Sequence, residues 1–253
     1  MSEVETAEDG QVLVITINRP ERRNAVNQAV SEGIAAALDR LDERRDLAVG
    51  VITGAGGTFC AGMDLKSFRD GEQVILSGRG FAGVTTRASA KPLIAAVEGH
   101  ALAGGFEVVL ACDLVVAART ARFGLPEVKR GLVAAAGGLF RLPDRLPYHL
   151  AVELILTGDP IDAEQAHQFG LVNRLTEPGA ALGGALALAR TVAANGPLAL
   201  TASKRIIRES RDWPTAELFD RQQPLIDTVF SSADAHEGAL AFLERRAPVW
   251  QAR

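Results

Sequence analysis

The 253-residue chain contains only two cysteines, Cys60 and Cys112, and aromatic residues make up only 5% of it. Two cysteines cannot form the disulfide framework of a small secreted domain, so we expect a protein of the reducing cytoplasm. With few aromatic side chains and a net charge of -4, the chain lacks the stacking platform and basic surface of nucleic-acid-binding proteins. We therefore expect no nucleic-acid partner.

A long apolar run free of charges is also absent. The longest apolar region, residues 92–118, carries four ionisable side chains: Glu98, His100, Glu107 and Asp113. A helix that crosses a bilayer would not tolerate them. The first ten residues are acidic and polar, so we expect neither a signal peptide nor a transit peptide. Because 47% of the residues are hydrophobic, we expect a soluble globular protein of one large domain, or of one domain with a small appendage.

Motifs of several common enzyme classes are missing as well. No G-x-S-x-G turn is present, which excludes the serine hydrolases that use it. His236 and Glu237 begin like a metalloprotease helix, but position 240 is leucine, so no zinc pair forms and we predict no metal site. The glycine cluster at residues 54–57 is not followed by the Lys-Ser/Thr of a phosphate-binding loop.

The order of apolar patterns predicts an α/β core followed by an all-helical region. Strands are predicted over Gln11–Asn18, Ala48–Thr53, Pro92–Val97, Asp113–Ala118 and Ala121–Gly124. Helices are predicted over Asn24–Asp42 and Phe106–Cys112, with a loop and a short helix over Leu65–Ala90. Beyond about Thr157 we expect only helices: Asp162–Phe169, Gly179–Ala194, Pro197–Glu209, Trp213–Phe230 and Ala233–Arg246. The best boundary lies within residues 195–198.

Four segments carry the most specific signal, and their order and spacing say more than any one of them. They are Asn24–Asn27 (NAVN), Phe59–Leu65 (FCAGMDL), Gly99–Glu107 (GHALAGGFE) and Gly124–Glu127 (GLPE). Together they closely resemble the crotonase (enoyl-CoA hydratase/isomerase) superfamily, and the resemblance runs essentially end to end. It implies an α/β fold: a spiral core of ββα turns over residues 1–195, and a helical oligomerisation region over residues 196–253. It also implies a homotrimer, or a homohexamer of two trimers.

The resemblance implies an acyl-CoA substrate and names its catalytic groups. Glu107 and Glu127 match the two catalytic glutamates of the hydratases, and the backbone N–H groups of Ala61 and Gly104 match the oxyanion hole. The residues themselves are compatible with these roles. Gly104 and Gly105 open a predicted helix, where glycine permits unusual dihedral angles and the helix dipole favours an oxyanion. Glu107 lies among apolar neighbours, and burying a carboxylate is costly unless it has a partner or a task.

Residues for the two ends of the substrate can be nominated in the same way. The candidates for binding coenzyme A are Arg22, Arg23, Ala25, Lys66 and Arg245. The candidates for the acyl pocket are Met63, Phe68, Phe81, Leu125 and Leu139. Coenzyme A is part of the substrate, and we expect no metal or redox cofactor.

The segment at residues 131–142 departs from the hydratase pattern. Ala134 replaces the usual loop proline, and Ala135 replaces a glycine beside the catalytic water, where a positive φ would be disfavoured for alanine. Syn hydration of a 2-trans-enoyl-CoA to a 3-hydroxyacyl-CoA, or its reverse, is the preferred function. The alternatives are a Δ3,Δ2-enoyl-CoA isomerase, a specialised dehydratase such as one acting on carnitinyl-CoA, and a catalytically inactive acyl-CoA-binding protein.

Overall fold

The structure is a computed structural model that describes residues 2–87 and 89–253. Its strands are β1 (Val4–Asp9), β2 (Val12–Ile17), β3 (Val49–Gly54), β4 (Ile75–Leu76), β5 (Gly80–Phe81), β6 (Leu93–Val97), β7 (His100–Leu102), β8 (Leu114–Ala118), β9 (Arg122–Gly124), β10 (Ile161–Asp162) and β11 (Arg174–Thr176). Its α-helices are α1 (Gln28–Glu43), α2 (Leu65–Arg69), α3 (Gly104–Ala111), α4 (Gly138–Arg141), α5 (Tyr148–Thr157), α6 (Ala163–Gln168), α7 (Ala181–Ala193), α8 (Pro197–Glu209), α9 (Leu218–Phe230) and α10 (Ala233–Glu244). Short 3-10 helices cover Pro20–Arg22, Pro126–Arg130, Ser210–Asp212 and Thr215–Glu217.

A six-stranded sheet in the order β1-β2-β3-β6-β8-β11 forms the centre of the fold. Within this sheet, as the described residues form it, the β1–β2 pair is antiparallel and the other pairs are parallel. Alternate residues of β2 face opposite sides: Leu13 and Ile15 pack towards α1, whereas Val12 packs towards α7. Because helices cover both faces, the central strands are apolar on both sides, and this made them recognisable in the sequence.

A second, three-stranded sheet places the chemistry-bearing segments side by side. Its order is β10-β9-β7, and β7 runs parallel to β9 with Leu102 opposite Gly124. An isolated bridge between Cys60 and Ala101 adds the segment that follows β3. Since the carboxyl ends of parallel neighbours meet at one edge, the starts of α3 and of the 3-10 helix at Pro126–Arg130 become neighbours.

The region beyond Thr157 is not entirely helical, which corrects the prediction. β10 joins the small sheet and β11 forms the edge of the large sheet beside β8. The structure also contains elements that the sequence patterns did not predict, among them β1, β7 and α5. In the described part of the chain, none of the helices is long and apolar enough to cross a membrane. The boundary predicted at residues 195–198 coincides with the junction of α7 and α8, and it stays a prediction.

Candidate active site

The two predicted catalytic glutamates lie at neighbouring element starts. Glu107 is in the first turn of α3, and Glu127 is in the first turn of the 3-10 helix at Pro126–Arg130. The ionised carboxylate of Glu107 is close enough to raise the pKa of Glu127. The structure therefore brings together two carboxyl groups that are 20 positions apart in the chain, as predicted.

Glu107 is the more buried of the two, with only 3% of its surface exposed. Its Oε1 atom accepts hydrogen bonds from the backbone N–H of Ala136 at 2.7 Å and of Gly138 at 2.9 Å. Burial raises the pKa of this carboxyl, while the two N–H groups and the charge of Arg141 oppose that rise. The donors favour the ionised form and fix the orientation of the carboxylate.

Fewer neighbouring groups oppose the effect of burial on the pKa of Glu127 than on that of Glu107. Burial raises its pKa to about 7, and the negative charge of Glu107 adds to the effect. Its Oε2 atom is buried and has no hydrogen-bond partner among the described residues. A buried oxygen without a donor favours the protonated carboxyl, so Glu127 is the member of the pair that holds a proton near neutral pH.

Of the two amides predicted for the oxyanion hole, the structure leaves one free and shows the other bonded within the protein. The Gly104 N–H has no acceptor within residues 2–87 and 89–253. The Ala61 N–H, in contrast, donates to the carbonyl oxygen of Arg23 at 3.0 Å. An amide that is already bonded within the protein is not available to an oxyanion without breaking that bond, so Ala61 is not the second donor.

The backbone N–H of Met63 is a more suitable candidate for the second donor. Gly62 O and Asp64 N make the hydrogen bonds of the bridge to Val26, which turns the Met63 N–H away from that strand. No residue of the described chain accepts a hydrogen bond from the Met63 N–H. A Cβ at Gly62 would lie 3.1 Å from the Gly104 nitrogen, so the two free amides flank the same small residue. The signal in the sequence was Gly62, the residue before Met63. Its backbone adopts a φ of +98°.

Glycine is required at the start of α3 because a side chain would not fit there, and not because the backbone adopts unusual dihedral angles. The positive φ of this turn, +51°, belongs to Ala103. At Gly104 a Cβ would lie 2.5 Å from the Cε1 atom of Phe81, and at Gly105 it would collide with the carbonyl oxygen of Cys60. The expectation that Gly104 adopts a forbidden conformation is therefore wrong, although the need for glycine is real.

The altered loop at residues 131–137 is compatible with the site. Ala135 does not have a positive φ, so the alanine there is not strained. The positive values in this loop, +68° and +108°, belong to Gly131 and Gly137. Among the described residues nothing accepts the Ala135 N–H, so this amide remains available to a water molecule.

A cavity of about 260 Å³ opens beside the Glu107 donors. Its lining is Ile75, Gly80, Phe81, Thr85, Thr86, Ala135, Ala136, Gly137, Phe140 and Arg141. Of the five residues predicted for the acyl pocket, Phe81 belongs to this lining. Leu125 is buried beneath Gly138, and Met63 packs against the core.

The other two acyl-pocket candidates lie on the surface. Phe68 is 60% exposed on α2, and Leu139 is 42% exposed on α4. Neither belongs to the cavity lining, which takes Phe140 and Arg141 from α4 instead. Successive residues of one helical turn point in different directions, and apolar character alone did not reveal which would face the cavity.

The candidates for binding coenzyme A are exposed, with Ala25 half-buried. Arg22 ends the 3-10 helix that precedes Arg23, and Lys66 lies at the start of α2. Arg245 caps the end of α10 in the helical region. Their role stays a prediction. In the described part of the chain, no group of three or more His, Cys, Asp or Glu side chains is arranged to hold a metal ion.

Comparison with known proteins gives one consistent result. Residues 7–253 match the family described as Enoyl-CoA hydratase/isomerase. The chain is 42% identical over 259 residues to the enoyl-CoA hydratase EchA19 of Mycobacterium tuberculosis, with 96% of this chain and 94% of that protein covered. It is 39% identical to the carnitinyl-CoA dehydratase of Salmonella typhi, with 97% of each covered. The crystal structure of an enoyl-CoA hydratase from Mycobacterium tuberculosis H37Rv matches with a TM-score of 0.99 and 58% identity over 100% of both chains.

Proposed function

The chain belongs to the Enoyl-CoA hydratase/isomerase family and has the crotonase fold, and from this premise we propose that it catalyses the reversible hydration of 2-trans-enoyl-CoA. The observation that carries the proposal is the unequal pair of glutamates. Glu107 is held by two N–H donors, whereas Glu127 has a buried oxygen without a donor and a pKa of about 7. One carboxylate and one carboxylic acid in the same site are what the addition of water across a double bond requires.

In the proposed reaction Glu107 acts as the base and Glu127 as the acid. Glu107 takes a proton from water while the water oxygen bonds to C3 of the enoyl group. The π electrons of the C2–C3 bond move to the thioester, and Glu127 then gives its proton to C2. At the end of the reaction Glu107 carries a proton and Glu127 is ionised. Transfer of a proton from Glu107 to Glu127 restores the starting state.

The charge that develops on the thioester oxygen needs two donors. We assign the N–H groups of Met63 and Gly104 to this role because both are free and flank Gly62. Donors of this kind are worth several kcal/mol of transition-state stabilisation because they are oriented before the reaction begins. The Ala135 N–H, beside the Glu107 donors, is a suitable partner for the attacking water.

The remaining parts of the proposal concern the rest of the substrate and the assembly. Arg22, Arg23, Ala25, Lys66 and Arg245 are proposed to bind coenzyme A, the basic residues through its phosphates. The reaction leaves the oxidation state of the substrate unchanged overall, so no redox cofactor enters the proposal. We further propose that the protein is cytoplasmic. We propose a homotrimer or homohexamer because α9 and α10 expose large apolar side chains.

Alternative functions are also compatible with the relatives of this chain. A carnitinyl-CoA dehydratase is 39% identical to this chain, so a specialised dehydratase with the same two glutamates is the second candidate. An isomerase would move one proton with a single carboxyl group. An inactive acyl-CoA-binding protein would have no use for two coupled glutamates, one of them with a displaced pKa.

The test compares two reactions in two variants. Glu107→Gln and Glu127→Gln keep the side-chain shape but cannot exchange a proton near neutral pH. If both residues act on one water, each variant loses about a hundredfold or more of crotonyl-CoA hydration, and the double variant loses far less than the product. Isomerisation of a 3-enoyl-CoA is measured in parallel. Strong isomerisation that survives one substitution, with no hydration by the unmodified protein, would assign the isomerase function instead.

A further inference from the structure

The loop that holds Glu107 is not fixed by regular secondary structure. Residues 131–137 contain no helix or strand, yet Ala136 and Gly138 direct two N–H groups at one oxygen of Glu107. Gly137, between them, adopts a φ of +108°. A loop of this kind has many accessible conformations, so another part of the protein has to hold the pair of amides in place.

Arg141 makes the contacts that hold this loop. Its Nη1 atom donates to the carbonyl oxygen of Ala136 at 3.1 Å, and its Nη2 atom donates to the carbonyl oxygen of Thr85 at 2.5 Å. Thr85 is buried, lines the same cavity and follows the β4–β5 hairpin. One guanidinium group therefore joins two parts of the cavity lining and bonds to the residue that donates to Glu107.

The charge of Arg141 is also directed at the site. No ion pair among the described residues includes this half-buried side chain, which stacks on Phe140 with 5.1 Å between the guanidinium carbon and the ring centroid. Its charge faces Glu107 and opposes the effect of burial on the pKa of that carboxyl. The other charged groups that act on this cluster are Glu127, Arg130 and Arg145.

We propose that Arg141 is a positioning residue for hydration, which holds the Ala136 and Gly138 amides and the Glu107 carboxylate in the geometry that activates water. The proposal rests on the proposed function, in which Glu107 is the base. Arginine suits the task because its planar group reaches two carbonyl oxygens at once. Lysine carries the same charge on a single compact ammonium group and lacks that fork.

Two substitutions separate charge from geometry. Arg141→Gln removes the charge and the fork, so kcat for crotonyl-CoA falls by about tenfold to a hundredfold while KM changes by less than about threefold. Without the cation the pKa of Glu107 rises, and the limb of the kcat/KM profile that rises with pH moves up by about half a unit or more. Arg141→Lys lowers kcat by about fivefold or more and leaves that limb in place. Arg119→Gln, a substitution of an exposed arginine paired with Glu164, is the control and changes none of these values.

The possible results are distinct. A folded Arg141→Gln protein with unchanged kcat, or with reduced kcat and an unmoved limb, would show that Arg141 only braces the fold and would overturn the proposal. If Arg141→Gln does not fold, full activity of Arg141→Lys would overturn it equally. Failure of the unmodified protein to hydrate any 2-enoyl-CoA would overturn the proposed function as well, so the two failures are distinguishable.

Discussion

Glu107 and Glu127 are the same amino acid in one site, but their hydrogen-bond partners differ. Two backbone donors bind an oxygen of Glu107, whereas Glu127 leaves a buried oxygen without a donor among the described residues. In a low dielectric two adjacent carboxylates repel, so the pair keeps one proton over a wide pH range. The donors favour the proton on Glu127, which is the acid in the proposed reaction.

The first prediction follows from this shared proton. Hydration requires Glu127 protonated, and its pKa is raised to about 7, so kcat/KM falls as the pH rises through that value. Dehydration of the 3-hydroxyacyl-CoA shows the same fall, because it needs the same singly protonated pair with the proton on Glu107. The measurement is kcat/KM in both directions from about pH 5 to 9. A flat profile above pH 7 would contradict the assignment of Glu127 as the acid.

The second prediction tests whether the Gly104 N–H is a donor, and it separates the loss of that N–H from the steric effect of an added side chain. Any side chain at Gly104 meets Phe81, so both variants are made in a Phe81→Ala background. Gly104→Ala keeps the N–H, and its hydration rate stays within about tenfold of the background. Gly104→Pro removes the N–H at the first position of a helix, where proline is tolerated, and activity falls by at least about a hundredfold. Equal rates for the alanine and proline variants would remove Gly104 from the oxyanion hole.

The family resemblance nominated Glu107 and Gly104, and an acid and a glycine pair that open an otherwise apolar helix are compatible with those roles. The sequence gives less information where contacts between distant parts of the chain decide. The prediction of Ala61 as a donor fails because the sequence does not show that the carbonyl of Arg23 accepts the hydrogen bond of the Ala61 amide. Arg141 was missed because its two carbonyl partners lie 5 and 56 positions away.

At the scale of elements, the short helix α2 connects the oxyanion segment with the loop after β2. Asp64 caps α2 by accepting hydrogen bonds from Lys66 N at 3.1 Å and Ser67 N at 3.4 Å. Its other oxygen pairs with Arg19 at 3.1 Å, and Arg19 donates to the carbonyl oxygen of Ala25 at 2.5 Å. The cap therefore fixes the residue that follows Met63 against the segment proposed to bind coenzyme A.

The third prediction concerns this cap. Asp64→Ala leaves the buried Arg19 guanidinium without one of its partners and two helix N–H groups without acceptors, so the free energy of unfolding falls by about 2 kcal/mol. Asp64→Asn keeps an acceptor at the cap and loses less. Urea unfolding at one fixed protein concentration measures both. If Asp64→Ala unfolds within about 0.5 kcal/mol of the unmodified protein, the cap has no such role.

The elements that the sequence predicted share long, regular apolar patterns. β2, β3, β6 and β8 are buried on both faces, and the amphipathic pattern of α1 is clear. β1 was missed because it is an edge strand with mostly exposed, acidic residues. β7, β10 and β11 have two or three residues each and exist because distant partners pair with them, which no local pattern reveals.

At the scale of the whole molecule, the helical region exposes more apolar surface than a monomer normally does. Phe219, Phe230, Phe242 and Leu243 are each more than 70% exposed, and α9 buries none of its residues within the chain. Large apolar side chains exposed together on neighbouring helices are typical of an interface. The apolar helical pattern was visible in the sequence, but only the structure shows that the core of the same chain does not cover it.

The fourth prediction is therefore a stable assembly. Light scattering at micromolar concentration gives a mass of about 80 kDa, three times the chain mass of 26.7 kDa, or twice that value for two trimers. Phe242→Ser lowers the mass, whereas Phe68→Ser, which changes an equally apolar exposed residue outside the helical region, does not. A mass of one chain for the unmodified protein would refute the assembly.

The central claim is that this protein adds water to an enoyl thioester, and the most direct measurement follows the oxygen atom. Crotonyl-CoA is incubated with the protein in water enriched in oxygen-18, and the thioester products are analysed by mass spectrometry. The two-glutamate mechanism predicts a 3-hydroxybutyryl-CoA product with one oxygen-18 atom at C3, formed by the unmodified protein and strongly reduced with either Glu107→Gln or Glu127→Gln. Product that contains no oxygen-18, or hydration that persists at full rate in either variant, would contradict it.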